Sequence, residues 1–117
     1  MSRLIFNLGK PIIAAVQGYA VGGGAEFALS CDIRIAAEGA IFSFPETSVS
    51  GTVTNLGNMT LSRLIGMGRA KELIYTGRRI DAKIAEQWGL VNKVVSLEEL
   101  DKAAMEMAEQ IAEKDQL

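Results

Sequence analysis

The chain has 117 residues, 49% of them hydrophobic and 22% charged, which suits one soluble core and excludes two. Its net charge of −2 offers no broad basic surface to nucleic acid or anionic lipid. Histidine is absent and Cys31 is the single cysteine, which excludes Ser-His-Asp and Cys-His catalysis, an internal disulfide and a Cys-x-x-Cys metal site.

Leu4–Leu8 reads as the end of a helix, broken by Gly9-Lys10-Pro11. That break precedes any sustained apolar run, so the N-terminus does not read as a signal peptide. No later run is long enough to cross a bilayer, and a cytoplasmic location is expected. Ile12–Val16 is a short β-favouring run, read as a buried strand. Gly18–Gly24 holds four glycines in seven residues and is expected to be a loop, followed by a short helix over Ala25–Cys31. Asp32–Ala37 reads as a strand with Ile33 and Ile35 on one face and Arg34 on the other, and Ala40–Phe44 as a third strand ended by Pro45. Glu46–Gly57 is rich in Ser, Thr, Gly and Asn, the composition of a loop leading into a helix near Met59–Leu64.

Beyond it the periodicity is mostly helical. Ala70, Leu73 and Ile74 share a face of a helix that stops at Gly77, and Asp81 is placed to cap a second helix that ends at Gly89. Leu90–Val95 reads as a strand. Ser96 and Glu99 have the spacing of a capping box. The helix that follows is expected to bury Leu97, Leu100, Ala104, Met107, Ala108 and Ile111. Nothing in the sequence after it is available to cover that face, so self-association is expected there. Trp88, Tyr19 and Tyr75 read as packing residues and Cys31 as a small buried hydrophobe. Lys71, Arg78 and Arg79 read as solvated surface. Residues 1–117 form one α/β domain or a piece of one.

Gly22-Gly23-Gly24 follows a strand and precedes a helix. Glycines there let backbone N–H groups approach a ligand, and the helix start adds positive potential, an arrangement suited to a phosphate or a polarised carbonyl oxygen. A P-loop would need a lysine after these glycines, and none follows. A dinucleotide fingerprint starting at Gly22 would need glycine where Phe27 stands. A ligand-free tight turn is the alternative, although one glycine usually suffices for that. Taken singly, Glu26 reads as a carboxylate in the first turn of a helix and Glu46 as a solvated loop residue.

The run Lys10-Pro11-Ile12-Ile13-Ala14-Ala15-Val16-Gln17-Gly18-Tyr19-Ala20-Val21-Gly22-Gly23-Gly24-Ala25-Glu26 resembles the signature of the crotonase (enoyl-CoA hydratase/isomerase) family. Cys31-Asp32-Ile33-Arg34-Ile35-Ala36 and Phe42-Ser43-Phe44-Pro45-Glu46 continue it in order and spacing. So do Gly66–Ala70, Thr76-Gly77-Arg78, and Ala85 with Gly89-Leu90-Val91-Asn92. The likeness runs from about Leu4 to Ile111 and matches the central and C-terminal part of a family subunit.

The resemblance implies a crotonase-like α/β fold of repeated β-β-α units, here truncated at the N-terminus and before the last C-terminal helices. It implies acyl-CoA chemistry, with Gly23 as one oxyanion-hole donor and a second donor from a family segment that this sequence does not contain. It implies that Glu26 and Glu46 are the catalytic carboxylates that hold a water for addition to a 2-enoyl-CoA, with Gly22, Gly24 and Thr54 near the substrate. Both glutamates together lean toward hydration, since family isomerases commonly keep only the second. Where many hydratases carry a Pro-Gly-rich turn, this chain reads Gly51-Thr52-Val53-Thr54-Asn55-Leu56-Gly57. Thr54 or Asn55 there can bond a substrate polar group or simply form the turn. The implied partner is an acyl-CoA thioester, with CoA entering as part of the substrate and no metal or separate cofactor. A homo-oligomer, trimer or hexamer, is implied as well. The rival readings are a double-bond isomerase, an acyl-CoA hydrolase, and a non-catalytic truncated interaction module.

Overall fold

The computed structural model describes residues 2–7, 11–44 and 60–115, with backbone alone for 2–7 and 115. Strand β1 (Ser2–Asn7) pairs antiparallel with β2 (Ile12–Val16). β2 lies parallel to β4 (Ile33–Ala37), and β4 parallel to β7 (Lys93–Val95), giving a sheet of order β1-β2-β4-β7. A second sheet runs β3 (Tyr19–Val21), β5 (Ile41–Ser43), β6 (Ile80–Asp81), with β3 and β5 parallel. The chain passes from β2 to β3 to helix α1 (Gly23–Ser30), then sets β4 beside β2 and β5 beside β3. Each strand–strand–helix turn therefore stacks on the previous one, the β-β-α repeat that the sequence implied. Residues 60–65 (α2) and Met67–Thr76 (α3) follow β5, then Ala82–Trp88 (α4) and Leu100–Asp115 (α5).

The central strands β2 and β4 are buried on both faces, which is why Ile12–Val16 is apolar without alternation. Ala14, Val16 and Ala36 join Ala25, Ala28, Leu29, Phe42 and Phe44 in one core. Ile13, Ala15, Ile35 and Ala37 join Leu100, Ala104 and Ala108 in another. The sheet thus covers α5 along Leu100, Ala104 and Ala108. Leu97, expected inside, is 56% exposed because it lies in a 3-10 turn (Leu97–Glu99) ahead of the helix. Met107 and Ile111 pack at the rim.

Other expectations fail as well. Leu4–Asn7 is not the end of a helix, and Leu8 lies outside the described residues; Ser2–Asn7 is strand, where pairing along the open side of β2 outweighs the helix reading of a segment too short to hold a helix alone. Gly18–Gly24 is not all loop. Tyr19–Val21 forms β3 with Ala20 buried and its neighbours outward, because β5 supplies a partner that a glycine count does not reveal. Accordingly Tyr19 is 63% exposed, and Tyr75 on α3 is 64% exposed, so neither packs as expected. The strand read as Leu90–Val95 shortens to Lys93–Val95, with Leu90 and Val91 buried in the preceding turn.

α3 and α4 stop at Gly77 and Gly89 as expected. Asp81 caps α4, its Oδ1 accepting from the Ile84 N–H at 2.9 Å. The capping box at Ser96 does not form: the Glu99 N–H is accepted by the Ser96 carbonyl at 3.1 Å, not by the hydroxyl. Asp81→Ala is therefore expected to cost about 1 kcal/mol of stability, and Ser96→Ala less than about 0.5 kcal/mol. Urea unfolding midpoints of the two variants check this.

Candidate active site at the start of α1

Val21, the last residue of β3, lies opposite Ser43 of β5. The next residue, Gly22, is buried with φ 62° and ψ −119°, a conformation that only glycine adopts cheaply. Its N–H donates to the Ser43 carbonyl at 3.2 Å, and its carbonyl accepts from the Glu26 N–H at 2.9 Å. Gly22 thus closes the strand pairing and opens the helix in a single residue. As a glycine it has no side chain with which to cap α1.

Gly23 is the first residue of α1 and is exposed. A Cβ placed on it would meet nothing within 4 Å, so the space beside its backbone is open. Its N–H belongs to the first turn and has no intrahelical acceptor. Gly24 is exposed beside it. Glu26 is half-buried in the same turn, and its Oε2 is buried without a hydrogen-bond partner among the described residues. A buried carboxylate oxygen in that condition carries a desolvation cost, which the positive potential of the helix start partly offsets.

The structure therefore brings together Gly22, Gly23, Gly24 and Glu26. Glu46 and Thr54 lie outside the described residues. Glu46 is three positions along the chain from Ser43, the residue that accepts the Gly22 N–H.

The other end of α1 holds a residue whose part the sequence reading missed. Arg34 does lie on the face opposite Ile33 and Ile35, but that face is core, and Arg34 is only 5% exposed. Its Nη1 donates to the carbonyls of Ala28 (3.1 Å) and Cys31 (2.7 Å), and its Nε to the carbonyl of Leu90 (2.8 Å). Burial pushes the guanidinium pKa down, and the neighbouring Cys31 and Asp32 oppose this. Burial pushes the Cys31 thiol up, and its 7% exposure agrees with its reading as a small buried hydrophobe. The signal available in the sequence was a lone cation within an otherwise apolar strand, Ile33-Arg34-Ile35-Ala36-Ala37.

Lys71, Arg78 and Arg79 are exposed, as expected. Arg78 pairs with Glu72, Arg69 and Arg78 stand 4.7 and 5.9 Å from the Trp88 ring, and Arg79 lies 5.4 Å from that of Tyr19. Among the described residues no helix is long and apolar enough to cross a membrane.

A family model described as enoyl-CoA hydratase/isomerase matches residues 1–117. The chain belongs to that family. It is 53% identical over 109 residues to a short-chain-enoyl-CoA hydratase of Clostridium acetobutylicum, covering 93% of this chain and 42% of that protein. Among solved structures, an enoyl-CoA hydratase from Bacillus anthracis superposes with a TM-score of 0.81 at 51% identity, over 92% of this chain and 42% of that one. A monofunctional enoyl CoA isomerase from M. smegmatis superposes with a TM-score of 0.79 at 43% identity, over 91% and 50%. The chain spans 39% to 44% of the length of the first curated relatives it matches. The crotonase-like fold expected from the sequence is the fold of these relatives.

Proposed function

We propose that this protein acts on acyl-CoA thioesters and adds water to a 2-enoyl-CoA. The observation that carries the reading is the start of α1: an open Gly23 N–H at a helix terminus and a buried Glu26 oxygen with no partner among the described residues, both in one turn. The names of the hydratase relatives support the substrate class.

In this reading the Gly23 N–H donates to the thioester oxygen, and the helix potential stabilises the negative charge that gathers there as an enolate forms. Glu26 and Glu46 hold a water between them, and Glu26 takes its proton. The hydroxyl forms a C–O bond at C3 while the C2=C3 electron pair moves into the enolate. The enolate then takes a proton at C2 from Glu46, and proton exchange with solvent resets the two carboxyl groups. Gly22 and Gly24 leave the backbone unobstructed for the acyl group, and Thr54 offers it a hydroxyl. CoA serves as part of the substrate, and no separate cofactor is needed. The resemblance implies a homo-oligomer as well.

The second reading is double-bond isomerisation, favoured by the likeness to the M. smegmatis isomerase. It uses the same enolate and one carboxylate but adds no water. Incubation with crotonyl-CoA, with chromatographic separation of products, distinguishes the two. Formation of 3-hydroxybutyryl-CoA is expected. Exclusive double-bond migration, or release of free CoA, would replace the hydratase reading.

A further inference from the structure

α1 has only eight residues, so the position of its first turn depends on what grips its last. We propose that Arg34 is a positioning residue that fixes the Gly23 N–H and the Glu26 carboxylate by holding the opposite end of α1. The inference rests on the function proposed above.

One guanidinium nitrogen bridges the carbonyls of Ala28 and Cys31, the last turn and the C-cap of α1. The Nε of the same group reaches the Leu90 carbonyl in the turn between α4 and β7. A cation there also complements the negative end of the helix. The backbone of Arg34 is itself pinned: its N–H donates to Asn92 Oδ1 at 2.9 Å, and its carbonyl accepts from the Asn92 N–H at 2.8 Å. The second of these, a backbone bond, extends the β4–β7 ladder by one position, since Ile35 pairs with Lys93, and the first adds a side-chain bond to it. Arg34 therefore transmits the fixed position of the central sheet to the far end of α1. From Cys31 the helix carries that position roughly 12 Å to Gly23 and about 7.5 Å to Glu26.

No other side chain type makes the same set of contacts. Lysine keeps the charge, but its single ammonium cannot replace a planar fork that spans Nε and Nη1 to three carbonyls. Leaving carbonyls unmet in the core would let the helix end shift to recover them. Displacements of about 1 Å at reacting groups cost on the order of 10²-fold in rate.

The test compares Arg34→Lys with Asp81→Ala. The latter removes the cap of α4 without touching Arg34 or the carbonyls of α1. In a subunit that hydrates crotonyl-CoA, Arg34→Lys is expected to lower kcat by on the order of 10- to 100-fold with KM changed less than about threefold. Asp81→Ala should lose stability and keep kcat within about threefold. Restored kcat in Arg34→Lys on addition of guanidinium would support the bridging role further. Loss of stability in Arg34→Lys with kcat retained would overturn it, as would equal losses of kcat in both variants. If the parent protein does not hydrate crotonyl-CoA, the functional reading fails by itself. The anchor is then judged by amide hydrogen exchange: selective loss of protection in α1 relative to β2 and β4 supports it, and unchanged α1 protection overturns it. Should Arg34→Lys fail to fold, Arg34→Gln, which keeps donors and drops the charge, takes its place in each comparison.

Discussion

Glu46→Gln is expected to abolish both hydration of a 2-enoyl-CoA and solvent exchange of the α-protons of a saturated acyl-CoA, whereas Glu26→Gln should abolish hydration and leave part of the exchange. The asymmetry follows from what each reaction needs. α-Proton exchange requires an oxyanion hole and one carboxylate at C2, but no added water. Hydration requires a positioned water as well. Glu26 sits in the first turn of α1 with one oxygen buried and unpartnered among the described residues, which suits a group that grips a small polar molecule. Glu46 follows Phe44-Pro45 and is the carboxylate that the resemblance assigns to hydratases and isomerases alike. Losses on the order of 10²–10⁴-fold are expected for an acid or base that acts in the transition state. The check is a pair of assays on each variant: crotonyl-CoA hydration, and deuterium uptake at C2 of butyryl-CoA. Reversal of the pattern exchanges the roles, and normal hydration by both variants removes the two-carboxylate mechanism.

Gly23→Pro should lower hydration by on the order of 10²–10³-fold while the protein stays folded. Proline at this position removes one N–H and little else. Gly23 is the first residue of α1, where proline is favoured because that N–H makes no helical bond and the fixed φ already suits a helix. The N–H of Gly22, which bonds Ser43, is untouched, and a Cβ at position 23 meets no atom within 4 Å. Far-ultraviolet circular dichroism and the unfolding midpoint should therefore match the parent while kcat falls. Unchanged kcat would show that Gly23 is not an oxyanion donor. Unfolding of the variant would contradict a helix that begins at Gly23 with its N–H unbonded.

Much of this was legible in the residues. Ile12–Val16, the stops at Gly77 and Gly89 and the Asp81 cap are local signals, and each appears in the structure within a residue or so. The glycine run was visible as a strand-to-helix turn, although α1 begins at Gly23, inside the run, and Glu26 taken singly read only as a carboxylate in the first turn of a helix. What failed depended on partners distant in the sequence. β1 and β3 are strands because β2 and β5 lie beside them, and no periodicity within six or three residues contains that information. The Ser96–Glu99 box had the right spacing, but the chain enters α5 through a 3-10 turn, and the backbone carbonyl takes the bond that the hydroxyl was expected to make. Arg34 was placed on the correct face of β4. Its burial became evident only once α1 and the turn at Leu90 were seen to close over that face.

The most direct measurement of the central claim is hydration in labelled water. A subunit containing these residues, given crotonyl-CoA in ¹⁸O-enriched deuterium oxide, is expected to yield 3-hydroxybutyryl-CoA with one ¹⁸O at C3 and one deuterium at C2. Both labels should vanish together in Glu26→Gln. Release of free CoA, or a shifted double bond without ¹⁸O at C3, would contradict the account.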